Sequence, residues 1–141
     1  MAKIVCFGLL AASFVYLAEA MKIMEKPKLQ SIVPQLPSLD FEESKKFYTE
    51  TLDCVLAEEF DDLLIFLWDG IELHMWKCND KAIPENSSIY LHVNKIDLLF
   101  EHYRKKLSGT IEISDRPWGM REFYIIDPSG NLLKFGQKIE S

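Results

Sequence analysis

One order of elements, met twice along the chain, constrains the fold more than any single motif. After a polar start, SIVPQL (residues 31–36) reads as a short strand and Ser38-Leu39-Asp40 leads into a helix, FEESKKFYTETL (41–52). Phe41, Ser44, Phe47, Tyr48 and Leu52 share one face of that helix, and Glu42, Glu43, Lys45 and Lys46 share the other. CVLAEEF, LLIFLW and IELHMW follow as three β-rich runs, the last two joined by Asp69-Gly70, a strong hairpin signal. A linker, KCNDKAIPENS, then separates this β-α-β-β-β series from a second one. There SIYLHV is a strand, and IDLLFEHYRKKLSG is a helix with Leu98, Leu99, Tyr103 and Leu107 inward and Gly109 near its end. TIEIS, REFYIID and LLKFGQ complete the series, the last pair joined by Asp127-Pro128-Ser129-Gly130.

Two such modules, about 31–77 and 87–137, predict an α+β fold. Their strands form a curved mixed sheet with the helices outside and a concave face for a ligand. A domain of residues 24–141 is long enough to bury a core without disulfides. Cys6, Cys54 and Cys78 are odd in number and widely spaced, with no CxxC, which favours a reduced compartment. A net charge of −6 argues against nucleic acid and anionic membranes as partners and mildly favours cationic or neutral ligands.

Residues 1–23 differ in character. MAKIVCFGLLAASFVYLAEA has an apolar run ending in Ala18-Glu19-Ala20, a small-x-small pattern suited to signal cleavage, yet the run is short for a membrane span. It reads equally as a cleaved signal, as an appended helix, or as translated sequence ahead of a start at Met21 or Met24.

The stretches SIVPQLPSLDFEESKKFYTETL, DLLIFLWDGIELHMW, IPENSSIYLHV and PWGMREFYIIDPSGNLLKF carry a resemblance. From about Met24 to Gln137 the chain resembles the bleomycin resistance proteins of the glyoxalase/bleomycin resistance/extradiol dioxygenase superfamily, the vicinal oxygen chelate fold. PWGxREFxxxDPxGNxxxF is specific to that branch, whereas FY in the first helix and DPxG mark only the superfamily.

Enzymes of the superfamily hold a divalent metal with one His or Glu from each of four strands. By the resemblance the matching positions here are Pro34, His74, Ser88 and Lys134, of which only His74 could ligate. Glu72, His74 and Trp76 alternate with apolar neighbours, as do Tyr90 and His92; these polar faces either approach one another or simply meet solvent. His102 reads as a surface residue beside Glu101 and Arg104. No GxSxG, HExxH or P-loop spacing occurs, and neither Cys54 nor Cys78 has a recognisable catalytic partner. The resemblance therefore implies a non-catalytic protein, without cofactor or metal, that sequesters bleomycin-type drugs in the cytoplasm. A metal-dependent enzyme and a carrier of another aromatic or cationic ligand are the alternatives, as is export if residues 1–20 are a signal.

By resemblance the protein is a homodimer whose first strand is exchanged around Pro34, with ligand grooves between the subunits. Read without it, Pro34 is a strand-edge proline. Trp118 and Gly119 match the family's groove directly, Trp118 offering a flat face for stacking; a tryptophan packed under a loop is the alternative. Tyr90 replaces an aromatic, while His74 and Trp76 depart from smaller or apolar residues. Leu63 completes the expected lining, and the acidic run with Glu58, Glu59, Asp61 and Asp62 either attracts a polycation or is a solvated turn.

Overall fold

In the computed structural model, residues 5–24 and 27–140 are described, with side chains for 12–22 and 27–140. The chain divides into two compact units, Met1–Ile32 and Val33–Ser141. The first contains helix α1, Val5–Met24, built from good helix formers such as Ala, Leu and Met. Its side chains from residue 12 to residue 22 are exposed. Among the described residues no helix is long and apolar enough to cross a membrane.

The second unit carries the expected repeat. Strand β1 (Gln35–Ser38), helix α2 (Phe41–Lys46) with a π-helical turn over Phe47–Thr51, and strands β2 (Val55–Glu59), β3 (Leu63–Trp68) and β4 (Ile71–Lys77) form the first module. A single-turn helix α3 (Ala82–Glu85) leads to β5 (Ser88–His92), α4 (Ile96–Lys106), β6 (Ile113–Arg116), β7 (Met120–Ile126) and β8 (Leu132–Lys138). Each module makes one four-stranded mixed sheet, in the orders β1-β4-β3-β2 and β5-β8-β7-β6. In both, the first strand pairs parallel to the fourth and the other pairs are antiparallel. The α+β architecture of two βαβββ modules is thus realised as expected.

Local chemistry sets the registers. Asp69 and Gly70 both have positive φ, 50° and 81°, which a type I′ turn requires, and Trp68 pairs with Ile71 across it. Asp40 caps α2 by accepting the Glu43 N–H at 3.0 Å. The strands alternate, so each sheet has two faces. One is pinned by its helix: Tyr48 stacks on Phe66 at 5.3 Å, and Tyr103 meets Phe135 at 5.6 Å. Trp68 of the first sheet then touches Phe135 of the second at 5.7 Å, and Phe123 stacks on Phe135 at 4.7 Å, so the two helix-side faces share one aromatic core.

A buried polar knot joins the modules beside that core. The Asp127 carboxylate accepts the N–H groups of Ser129, Gly130 and Asn131, the Asn131 amide, and the Tyr48 hydroxyl at 2.8 Å from α2's continuation. Asn131 Nδ2 also donates to the Pro37 carbonyl, and the Leu39 N–H donates to Ser129 Oγ. The DPSGN turn therefore holds β1 and α2 of the other module as well as closing its own hairpin. At the surface Asp53, held at φ 60°, accepts from both Lys106 and His102 of α4. His102 is exposed, as expected, but it is tied to the first module.

Several expected details differ. The first strand begins at Gln35 rather than Ser31, so residues 31–33 stand outside the ladder and the Pro34 carbonyl accepts the His74 N–H at 3.1 Å. Pro37 within β1 is tolerated because β1 is an edge strand. The strand read in TIEIS starts at Ile113, set by its pairing with Phe123. Leu98, expected inward, is 69% exposed. The helix begins at Ile96 after Lys95 in the left-handed region, and at about 100° per residue Leu98 points away from the Ile96–Leu99–Phe100–Tyr103 stripe.

Candidate functional site

The faces turned away from the helices are what the fold leaves for function. On the second sheet the register sets Tyr90 of β5, Lys134 of β8 and Tyr124 of β7 in one row. Beside them Glu122 of β7 is 1% exposed, an unusual depth for a carboxylate on a face without its helix. Three hydrogen-bond donors converge on it there. Tyr90 Oη donates to Oε1 at 2.6 Å and Trp118 Nε1 donates to the same oxygen at 2.9 Å, while Tyr124 Oη donates to Oε2 at 2.6 Å. The Arg116 guanidinium lies 3.5 Å from Oε2 and 4.9 Å from the Tyr124 ring centre.

Two glycines make that convergence possible. Pro117-Trp118-Gly119 is a three-residue hairpin loop between Arg116 and Met120, and Gly119, at φ 79°, donates its N–H to the Arg116 carbonyl at 3.0 Å. The loop presents Trp118 with 62% of its surface exposed. Gly136 of β8 lies between His92 and Glu122 in register, and a β-carbon there would sit 1.9 Å from Tyr90 Oη. The bare backbone is the path by which Tyr90 crosses from β5 to Glu122. Gly136→Ala is accordingly expected to eject Tyr90 from Glu122 at a stability cost of about 1.5–3 kcal/mol, the scale of one hydrogen bond to a charged group, because the clash meets the outer end of a side chain that can swing away. Spectrophotometric titration would show the loss: burial and Glu122 push the Tyr90 hydroxyl up to about 12, and in the variant it would fall back toward 10.0.

Burial by itself would raise the carboxyl of Glu122, but the bonds from Tyr124, Tyr90 and Trp118 and the charge of Arg116 outweigh it and hold the group below its ordinary 4.5. A carboxyl depressed on folding stabilises the folded state above its unfolded value, and that stability is lost as pH falls through the folded value. The environment of Trp118 is therefore expected to stay constant from pH 7 to about 4.5 and to change below it. Indole fluorescence of a chain with Trp68 and Trp76 replaced by Phe reads this directly, and Glu122→Gln removes the transition.

The outward face of the first sheet is different in kind. Leu63 pairs with Trp76, Ile65 with His74 and Leu67 with Glu72, giving a largely apolar surface. His74 Nε2 bonds Glu72 Oε1. Glu58 lies opposite Ile65, and Asp62 sits just before β3 with its carbonyl accepting the Lys77 N–H at 3.0 Å. Glu58, Asp61 and Asp62 are exposed, whereas Glu59 is engaged by Lys45 at 2.7 Å.

The sequence-derived residues thus fall into two groups: Trp118, Gly119 and Tyr90 on one sheet, and His74, Trp76, Leu63 and Glu58 on the other, with Asp62 at its edge. The described hydrogen bonds and ring contacts join residues within each group, not across. Pro34 belongs to a third place, an apolar cavity of about 90 Å³ between the modules with Trp68, Leu73, Leu91, Tyr103 and Phe135 in its wall. Glu72 and His92 also line this cavity, whereas His74 is not in its wall; His74 bonds Glu72, and His92 packs on Tyr90 at 5.1 Å.

A divalent ion does not fit the four superfamily positions. They offer one imidazole beside a proline, a serine hydroxyl and the Lys134 ammonium, and Lys134 stands in register between Tyr90 and Tyr124. Among the described residues no three His, Cys, Asp or Glu groups converge on a metal position. Burial, with Asp69 and Asp53 nearby, pushes the Cys54 thiol up to about 12, which leaves it protonated and unreactive.

Sequence reasoning missed Glu122, Tyr124, Arg116 and Gly136. The signals were present: Glu122 and Tyr124 share the outward parity of REFYII, and a glycine interrupts LLKFGQ inside a strand.

Two βαβββ modules, each a four-stranded mixed sheet with its helix on one face, define the class of fold. The description "Glyoxalase/Bleomycin resistance protein/Dioxygenase superfamily" matches residues 29–135, and the chain belongs to that family. It is 29% identical over 132 residues to bleomycin resistance proteins of Geobacillus stearothermophilus and Staphylococcus aureus, covering 80% of this chain and 99% of each relative. Among solved structures it is similar to the bleomycin-binding protein of Streptomyces verticillus in complex with copper(II)-bleomycin. There the TM-score is 0.71 and the identity 23%, over 82% of this chain and 99% of the other. The bleomycin resistance determinant of transposon Tn5 gives a TM-score of 0.68 at 21% identity over 78% and 98%. These likenesses establish the fold.

Proposed function

We propose that the protein confers resistance by binding bleomycin-type glycopeptide drugs and holding them, chemically unchanged, away from their target. The observation that carries this reading is the exposed Trp118 face. Its indole is fixed by Glu122 yet open to solvent, with Tyr90 anchored to the same carboxylate, so two aromatic surfaces are oriented before any ligand arrives. Relatives that carry the resistance name over nearly their whole length support the choice of ligand. The donor set at Pro34, His74, Ser88 and Lys134 supports binding without metal chemistry.

The binding unit in this reading is a homodimer. The Trp118 face of one chain meets the partner's apolar face carrying Leu63, His74 and Trp76, with Glu58 and Asp62 at the rim drawing a cationic drug. Exchange of the chain's start around Pro34 ties the subunits together; the Pro34 carbonyl is bound to β4 just where residues 31–33 leave the ladder. A protein that shields DNA acts in the cytoplasm.

Isothermal titration of metal-free bleomycin into the full chain tests the reading. Two saturable sites per dimer, with micromolar affinity or better, are expected. Absence of heat at millimolar drug, in protein that is folded and dimeric, would remove the drug assignment and leave the fold to carry another ligand.

A further inference from the structure

The Glu122 cluster contains a position that is chemically unfinished. A carboxylate has about four lone-pair sites. Three are filled, two on Oε1 by Tyr90 and Trp118 and one on Oε2 by Tyr124. The fourth faces Arg116, whose Nε is 3.5 Å from Oε2, buried and without a hydrogen-bond partner. The two charges attract as an ion pair at 3.5 Å, but the open acceptor and the donor lie next to each other without a hydrogen bond, so the pairing is incomplete. The guanidinium meanwhile lies over the Tyr124 ring at 4.9 Å, where a planar cation is attracted by the π-face. Carboxylate, aromatic plate and flat cation are the parts of an organic-cation site, and the cation is the protein's own.

Arg116 is suited to leaving. It is the last residue before the Pro117-Trp118-Gly119 loop, its side chain is 31% exposed, and Glu122 would keep its other three donors without it. The carboxylate is also too deep to act as a general rim charge, so it selects a cation small and flat enough to reach Oε2 beside Tyr124.

We propose that Glu122 and Tyr124 form a binding site for one planar monovalent organic cation, a guanidinium or amidinium, which Arg116 occupies in the free protein and which a ligand fills by displacing it. The site lies wholly in the second module, so it depends neither on the drug assignment nor on the dimer.

Chemical rescue tests it with methylguanidinium as the probe and the full chain as the protein. The Trp118 indole N–H resonance, identified by its loss in Trp118→Phe, reports on Glu122 from 2.9 Å away. Arg116→Ala opens the site, and methylguanidinium is expected to shift that resonance saturably, at least about tenfold more tightly than in the parent, the scale of one charge-assisted hydrogen bond. Adding Glu122→Gln to Arg116→Ala should abolish the saturable shift. Arg116→Met, which keeps an unbranched apolar stem and removes both charge and donors, gives the same direction of change if the alanine variant folds poorly. Equal affinity in the parent and in both Arg116 variants would overturn the proposal. So would a double variant that binds as tightly as Arg116→Ala.

Discussion

Replacing Asp127 with alanine is expected to destabilise the protein by about 3 kcal/mol or more. Five donors converge on this one carboxylate: three backbone N–H groups, the Asn131 amide and the Tyr48 hydroxyl. Asp127 is 3% exposed and Tyr48 is fully buried, so water cannot readily take the carboxylate's place. The loss acts across the modules, because Asn131 and Ser129 in the same turn hold Pro37 and Leu39 of the other one. Thermal unfolding should register a fall in Tm of roughly 10 °C for a domain of this size. Tyr48→Phe removes one donor and keeps the ring stacked on Phe66, and should cost less, about 1.5–2 kcal/mol, because four donors to the carboxylate remain. Equal losses in the two variants would mean that the knot is not centred on Asp127.

Trp118→Ala is expected to weaken drug binding by ~2 kcal/mol or more, about thirtyfold in Kd, while leaving folding and dimerisation intact. The residue stands on a hairpin loop with 62% of its surface exposed, so truncation empties little of the core. What is lost is a stacking surface already oriented by Glu122. Trp118→Phe separates the two contributions: it keeps a ring but no N–H to reach Glu122, so its affinity should fall between those of parent and alanine variant. An unchanged Kd in Trp118→Ala would move the ligand away from this face.

The parts of this fold legible in the sequence are those whose causes are local. Asp69-Gly70 announces its hairpin because two consecutive residues need positive φ. The stripe of Ser44, Tyr48 and Leu52 announces the buried face of the first helix. Leu98 misled because the helical stripe depends on where the helix begins, and Lys95 in a left-handed conformation sets that start. Strand β1 misled in a similar way: apolar Ile32 and Val33 look like strand, but the ladder begins at Gln35, after Pro34.

At the candidate site the exposed aromatic was readable and the buried charge beneath it was not. Trp118 and Gly119 stand in a local turn, whereas Glu122 acquires meaning only when β5, β6 and β7 bring Tyr90, Arg116 and Tyr124 around it. Gly136 is the same kind of residue. Its lack of a side chain serves Tyr90, 46 positions earlier in the chain, and no local pattern records that.

The central claim, binding without chemistry, is tested most directly by DNA protection with recovery of the drug. Supercoiled plasmid is exposed to iron-bleomycin at increasing ratios of protein to drug, and the drug is then extracted and weighed by mass spectrometry. Sequestration predicts that strand breakage ends near one binding site per drug molecule and that the recovered drug has its original mass. Protection by far less than one equivalent, together with a changed drug mass, would show an enzyme instead.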